Sequence, residues 1–135
     1  MVKPHHEEAW RTACELATWF AERGIKTVGE PLSQSEKFAG NINFCDISAV
    51  ESGRIDENVD LLVVLGGDGT MIATARIVGD RDTPVLGINY GSLGYLTEFR
   101  IEEMFAALEV ILAGKYELDR RVSLRVEHVR GEETL

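Results

Sequence analysis

Apolar and polar residues change rhythm several times along the chain, and each rhythm predicts an element. From Pro4 to Gly24 the apolar positions Ala9, Trp10, Ala13, Leu16, Ala17 and Phe20 recur at helical spacing, with Pro4 suited to the entry and Gly24 to the stop. Two short apolar pieces follow, "IKTVGE" at 25–30 and "NFCDISAV" at 43–50, separated by polar connectors and read as short strands. "DLLVVLGG" at 60–67 is a continuous Leu/Val run, the pattern of a strand covered on both faces and therefore central in a parallel sheet. A helix from about Thr70 to Val78 stops at Gly79, and "TPVLGIN" at 83–89 repeats the buried-strand pattern. After a loop at 90–100, a helix carries Ile101, Met104, Phe105, Leu108, Ile111 and Leu112 on one face and stops at Gly114. In "VSLRVEHV", Val122, Leu124 and Val126 alternate with Ser123, Arg125 and Glu127, the signature of a half-exposed strand.

Strands alternating with helices predict an α/β fold, an open and mainly parallel three-layer sheet whose ligands sit beyond the carboxyl ends of its strands. The expected division is an α/β nucleotide-binding unit over residues 1–120 and the start of an antiparallel, all-β domain over 121–135. The 135 residues, 44 % apolar and 27 % charged, have the composition of a soluble globular domain. A formal charge of −9 argues against a nucleic-acid surface, which needs clustered Lys and Arg. No apolar run approaches the ~18 residues of a membrane span, and "MVKPHHEEAW" lacks the apolar core of a secretory signal, so a cytoplasmic location is expected. Cys14 and Cys45 show no metal or redox spacing and read as two buried thiols rather than a disulfide. Adjacent His5 and His6 do not share a helix face, which disfavours a metal site there.

The candidate chemistry lies in "LLVVLGGDGT", where an apolar strand runs into Gly66, Gly67 and Gly69 around a single carboxylate, Asp68. Glycines at a strand end let another group approach without meeting a Cβ, so the three are expected to clear a ligand-sized space. The free amides of Gly69, Thr70 and Met71 at the following helix start favour anions such as phosphate. An N-cap role explains an Asp here but not glycine on both sides of it. The segment fits neither the P-loop nor the dinucleotide fingerprint, since Ile72 stands where the latter wants a small residue.

"GGDGT" after an apolar strand, followed about twenty residues later by "PVLGINYGSLGYLTEF", resembles the NAD kinase family. The likeness extends from "KPHH" to "YELDRRVSL". The pentapeptide alone is shared by diacylglycerol kinases and, as a variant, by 6-phosphofructokinases; its pairing with the second motif is far more specific. The resemblance implies a Rossmann-like domain of the phosphofructokinase and NAD-kinase type. It further implies transfer of the ATP γ-phosphoryl group to the 2′-hydroxyl of the NAD adenosine ribose, giving NADP. By the same resemblance Asp68 contacts that ribose and accepts its proton, Gly69 approaches the nucleotide, and Tyr95 packs on the adenine. Gly67, Thr70, Asn89, Leu93 and Gly94, with Gly91, complete the nucleotide-binding set. No metal-ligating protein residue is implied; Mg²⁺ would arrive with ATP. Inorganic polyphosphate stays open as a donor, and a homo-oligomer is implied for the full-length enzyme.

The chain also departs from the family pattern. No Asn-Glu or Asn-Asp pair follows Arg121, and only Met1 and Val2 precede "KPHH" where the family has a strand. The 135 residues are therefore expected to behave as an excised N-terminal domain with little or no kinase activity alone. Two other readings compete: a lipid or sugar kinase sharing the glycine-aspartate turn, and a non-catalytic dinucleotide-binding module in which Asp68 only grips a ribose.

Overall fold

The computed structural model describes residues 1–3, 6–29, 47–49, 58–92, 94–127, 129–130 and 133–134. Helix α1 (Glu7–Ala21) buries Ala9, Thr12, Ala13, Leu16, Ala17 and Phe20, close to the face its spacing predicts. His6 caps this helix, its Nδ1 accepting the Ala9 amide at 3.1 Å. Strands β1 (Thr27–Gly29) and β2 (Ile47–Ala49) pair in parallel.

The main sheet is built from β3 (Leu62–Gly66), β4 (Val85–Asn89) and β5 (Phe99–Arg100), all parallel and in that order. Strand β5 lies in what the residue pattern reads as loop; two residues are too few to display a period of two. The first residues extend this sheet on the other side. The Met1 ammonium donates to Val63 O at 2.9 Å, Leu65 N to Met1 O at 2.9 Å, and Lys3 N to Leu65 O at 2.8 Å. Where the expectation was of a missing first strand, Met1–Lys3 form no strand of their own but occupy part of the β3 edge through a single bridge, Val2 to Leu65.

In a parallel pair, register partners share a face. Val63 and Leu65 pair with Leu86 and Ile88, and that face meets α1 and α3 (Met104–Leu112) in one core of Ala9, Ala13, Leu16, Phe20, Met104 and Leu108. Val64 and its partner Gly87 face the other way, where α2 (Asp68–Val78) lies; a Cβ on Gly87 would stand 2.9 Å from Met71 Sδ. The result is three layers, with α1 and α3 on one side and α2 on the other. Gly79 and Gly114 end α2 and α3 with φ of +58° and +72°, the stops their positions predict.

Trp19 is more than core packing. Arg23, one turn on, stacks its guanidinium 3.6 Å from the Trp19 ring and reaches Glu109 of α3 at 2.7 Å. The two contacts clip α1 to α3, and Arg23→Ala is expected to cost about 1 kcal/mol in chemical denaturation.

Two further expectations change. Cys14 is held in a disulfide, not free; it is half-buried at the rim of the α1 face, and the chain's other cysteine, Cys45, lies outside the described residues. Residues 122–127 form no strand, and Val122, Leu124 and Val126 are exposed. Their alternation meets no partner strand among the described residues; the antiparallel pairing falls later, between β6 (Val129–Arg130) and β7 (Glu133–Thr134).

Candidate nucleotide site at the strand ends

Gly66 and Asn89 end β3 and β4 side by side, so the loops that follow them face each other at the carboxyl edge of the sheet. Gly67 is the N-cap of α2, in extended backbone and without a side chain, and Asp68 is the first helical residue. The helix therefore starts two residues earlier than its apolar pattern suggests. Met71 N already donates to Gly67 O at 3.0 Å, so the free first-turn amides are those of Asp68, Gly69 and Thr70, and Met71 leaves the predicted set.

The Asp68 carboxylate does not cap its own helix. Its two oxygens accept the amides of Tyr95 at 2.8 Å and Leu96 at 3.0 Å, from the loop after β4. These two donors hold the carboxyl below its ordinary value, with Thr97 adding to them and partial desolvation opposing. The sign of the linkage follows: the folded form binds its proton less tightly than the unfolded chain does. Anchoring of the loop is complete above the ordinary carboxylate range near ~4 and is lost as pH falls through the lower folded value. The protection of the Tyr95 and Leu96 amides, taken relative to the intrinsic exchange rate at each pH, is expected to fall over that acid window and to stay level above it.

None of the described glycines in these loops has left-handed backbone, so their use is space. Gly66 makes room for Thr70, whose side chain folds back over it, and not for a ligand. A Cβ on Gly69 would meet nothing within 4 Å, and one on Gly67 only Asn89 Oδ1 at 4.0 Å, so these two keep the approach open. Gly94 lies against the Asp68 carboxylate so closely that a Cβ there would overlap Oδ1, Cγ and Oδ2.

Asn89 is buried and pins the loop. Its Nδ2 donates to Ser92 O at 2.6 Å and to Thr97 Oγ1 at 2.9 Å, and its Oδ1 accepts Gly91 N at 2.9 Å. Tyr95 is 94 % exposed, an open ring beside the amide that holds Asp68. Leu93 lies outside the described residues. The structure thus brings Gly67, Asp68, Gly69, Asn89, Gly94 and Tyr95 together, while the Thr70 side chain faces the strand end. Thr97 and the Leu96 amide are the members that residue types alone do not single out, since Thr97 stands beside the charged Glu98 and looks like one more polar loop position.

A separate open cleft of about 1,480 Å³ runs beside α2 and α3 and includes Arg76, but none of Asp68, Gly69 or Tyr95 borders it. Arg121 is exposed and donates to Asp119 at 2.6 Å. Among the described residues no three His, Cys, Asp or Glu side chains converge to hold a metal ion, and no helix is long and apolar enough to cross a membrane.

Known proteins resemble this chain in both sequence and fold. NAD kinase of Geotalea daltonii is 46 % identical over 130 residues, which is 96 % of this chain and 43 % of that protein. NAD kinase of Citrifermentans bemidjiense is 42 % identical over 135 residues, 99 % of this chain and 45 % of its own length. The chain thus spans less than half the length of these relatives. The crystal structure of yeast NADH kinase complexed with NADH superposes with a TM-score of 0.63 at 22 % identity, over 85 % of this chain and 37 % of that one, a likeness of fold. The family described as ATP-NAD kinase N-terminal domain matches residues 1–116, and the chain belongs to that family.

Proposed function

We propose that this domain contributes the Asp68 half of an NAD kinase site, which transfers the ATP γ-phosphoryl group to the 2′-hydroxyl of the NAD adenosine ribose. The observation that carries the reading is the Asp68 carboxylate, half-buried at the carboxyl edge of the sheet between an open glycine and an exposed aromatic ring. A carboxylate offers about four acceptor positions, so the Tyr95 and Leu96 amides leave room for a ribose hydroxyl. Tyr95 offers its face to the adenine. The amides of Gly69 and Thr70 are suited to phosphate oxygens.

The lowered carboxyl pKa makes Asp68 a weaker base than an ordinary carboxylate. Phosphoryl transfer usually passes through a loose transition state in which the attacking hydroxyl loses its proton late, so the first demand is in-line orientation. Asp68 orients the hydroxyl first and takes its proton second. Mg²⁺ bound to ATP would neutralise charge on the phosphates, and the acidic chain leaves that task to the metal. Such a divalent ion would be held chiefly by the nucleotide phosphates. The cytoplasmic assignment rests on these substrates, not on the cysteines, and a homo-oligomer is proposed for the full-length enzyme.

The test is a chimera in which the C-terminal part of the Geotalea daltonii relative completes this chain. NADP formation from NAD and ATP is expected from the chimera and at most a trace from the 135 residues alone. Binding of only lipid or sugar phosphates by calorimetry would instead favour the rival kinases.

A further inference from the structure

His6 enters the reading above only as the cap of α1, yet its ring also touches the loop that holds Asp68. Val2 pairs with Leu65 in parallel, so the first residues run toward the same carboxyl edge as β3, and α1 begins there. The Ala9 amide donates to His6 Nδ1 at 3.1 Å, which ties the imidazole to the first turn of the helix. The tied ring meets Tyr90, with ring centroids 5.1 Å apart and planes tilted by 58°, inside the range of favourable aromatic pairs. Tyr90 directly follows Asn89, the last residue of β4, and packs against the core that α1 shares with the sheet. Its hydroxyl is buried and finds no hydrogen-bond partner among the described residues; the Thr12 side chain beside it on α1 stays outside bonding geometry. What seats Tyr90 is therefore its ring. From that seat the chain runs through Gly91 and Ser92, both pinned by Asn89, to the Tyr95 and Leu96 amides on Asp68.

We propose that His6 is a positioning residue for the nucleotide site: held by the first turn of α1, its ring backs Tyr90 and so fixes the start of the loop whose far end presents two amides to Asp68. The start of α1 thus braces the loop after β4, and that loop in turn holds the carboxylate after β3. The kinetic consequence rests on the kinase reading, whereas the brace does not.

His6→Asn separates the two duties of the side chain, since Asn is a favoured N-cap and has no ring. In the intact chain its melting is expected to stay close to the parent. The protection of the Tyr95 and Leu96 amides, read by hydrogen exchange near neutral pH, is expected to fall about threefold to tenfold, the weight of one aromatic pair. In a Tyr90→Leu background the same substitution is expected to change that protection almost not at all, and Tyr90→Phe, which keeps the ring, to match the parent. In the chimera, kcat/KM for NAD is expected to fall by a similar factor in His6→Asn, with KM for ATP unchanged. Full protection of both amides in folded His6→Asn, or an equal loss in the two backgrounds, overturns the positioning role, whatever the activity. A coupled loss of protection with no NADP formed by the parent chimera supports the brace and overturns the kinase reading alone. Should His6→Asn fail to fold, exchange in the parent chain across a denaturant series decides: Ala9 and Leu96 amides that open in one step at the same cost support the brace, and openings of different cost overturn it.

Discussion

Asp68→Asn in the chimera is expected to lower turnover by roughly 10²- to 10⁴-fold while NAD still binds, the range of losses when a positioned acid-base group is removed. The substitution keeps the shape of the side chain and changes two things. It removes the charge that a developing alkoxide proton would meet. It also replaces one acceptor oxygen with an NH₂ group, which cannot accept from either Tyr95 N or Leu96 N, so one of the two loop contacts at 2.8 and 3.0 Å is lost. Hydrogen exchange at those amides separates the effects. If turnover collapses while one amide stays protected, the carboxylate itself is required. A non-catalytic module predicts a different result, a modest loss of NAD affinity.

The second large effect is expected from Gly94→Ala. A single methyl at this position overlaps three atoms of the Asp68 carboxylate, a short side chain already held by the Tyr95 and Leu96 amides and not a flexible chain end. Either Asp68 rotates away or the 94–96 loop lifts, and both break the Tyr95 and Leu96 amide contacts that hold the carboxylate below its ordinary pKa. A displacement on the order of 1 Å at a reacting group can cost about 10²-fold in rate, and a loss of that size in kcat is expected here. The Asp68 midpoint should rise at the same time. Because the conflict is between two named groups, Gly94→Ala should cost far less thermal stability in an Asp68→Ala background than in the parent, a coupling that a double-mutant cycle reads directly.

Most of the frame was legible in the residues. Runs of Leu and Val covered on both faces marked β3 and β4, helical spacing marked α1 and α3, and Gly79 and Gly114 stop their helices in left-handed backbone. The glycine-flanked aspartate was legible as a candidate site because capping needs no such flanking; in the structure Gly67 is the cap and Asp68 the first helical residue. What each glycine is for was not legible. Space is a relation between positions distant in the chain: Gly66 yields to Thr70, Gly87 to Met71 and Thr97, and Gly94 to Asp68 twenty-six places earlier. Thr97 was hidden for the same reason, since its place depends on Asn89 and Gly87 meeting it in the fold. The alternation of Val122, Leu124 and Val126 misled in another way: a period of two states what a segment can pair with, and among the described residues nothing pairs with it.

The account stands or falls on whether Asp68 meets the ribose 2′-hydroxyl. Calorimetric titration of NAD and of its 2′-deoxy analogue into the chimera, with Asp68 intact and as Asp68→Ala, measures that contact as a coupling. The account predicts that removing the hydroxyl weakens binding about tenfold when Asp68 is present and almost not at all when it is absent. Equal loss in both proteins would mean that the carboxylate and the hydroxyl do not touch.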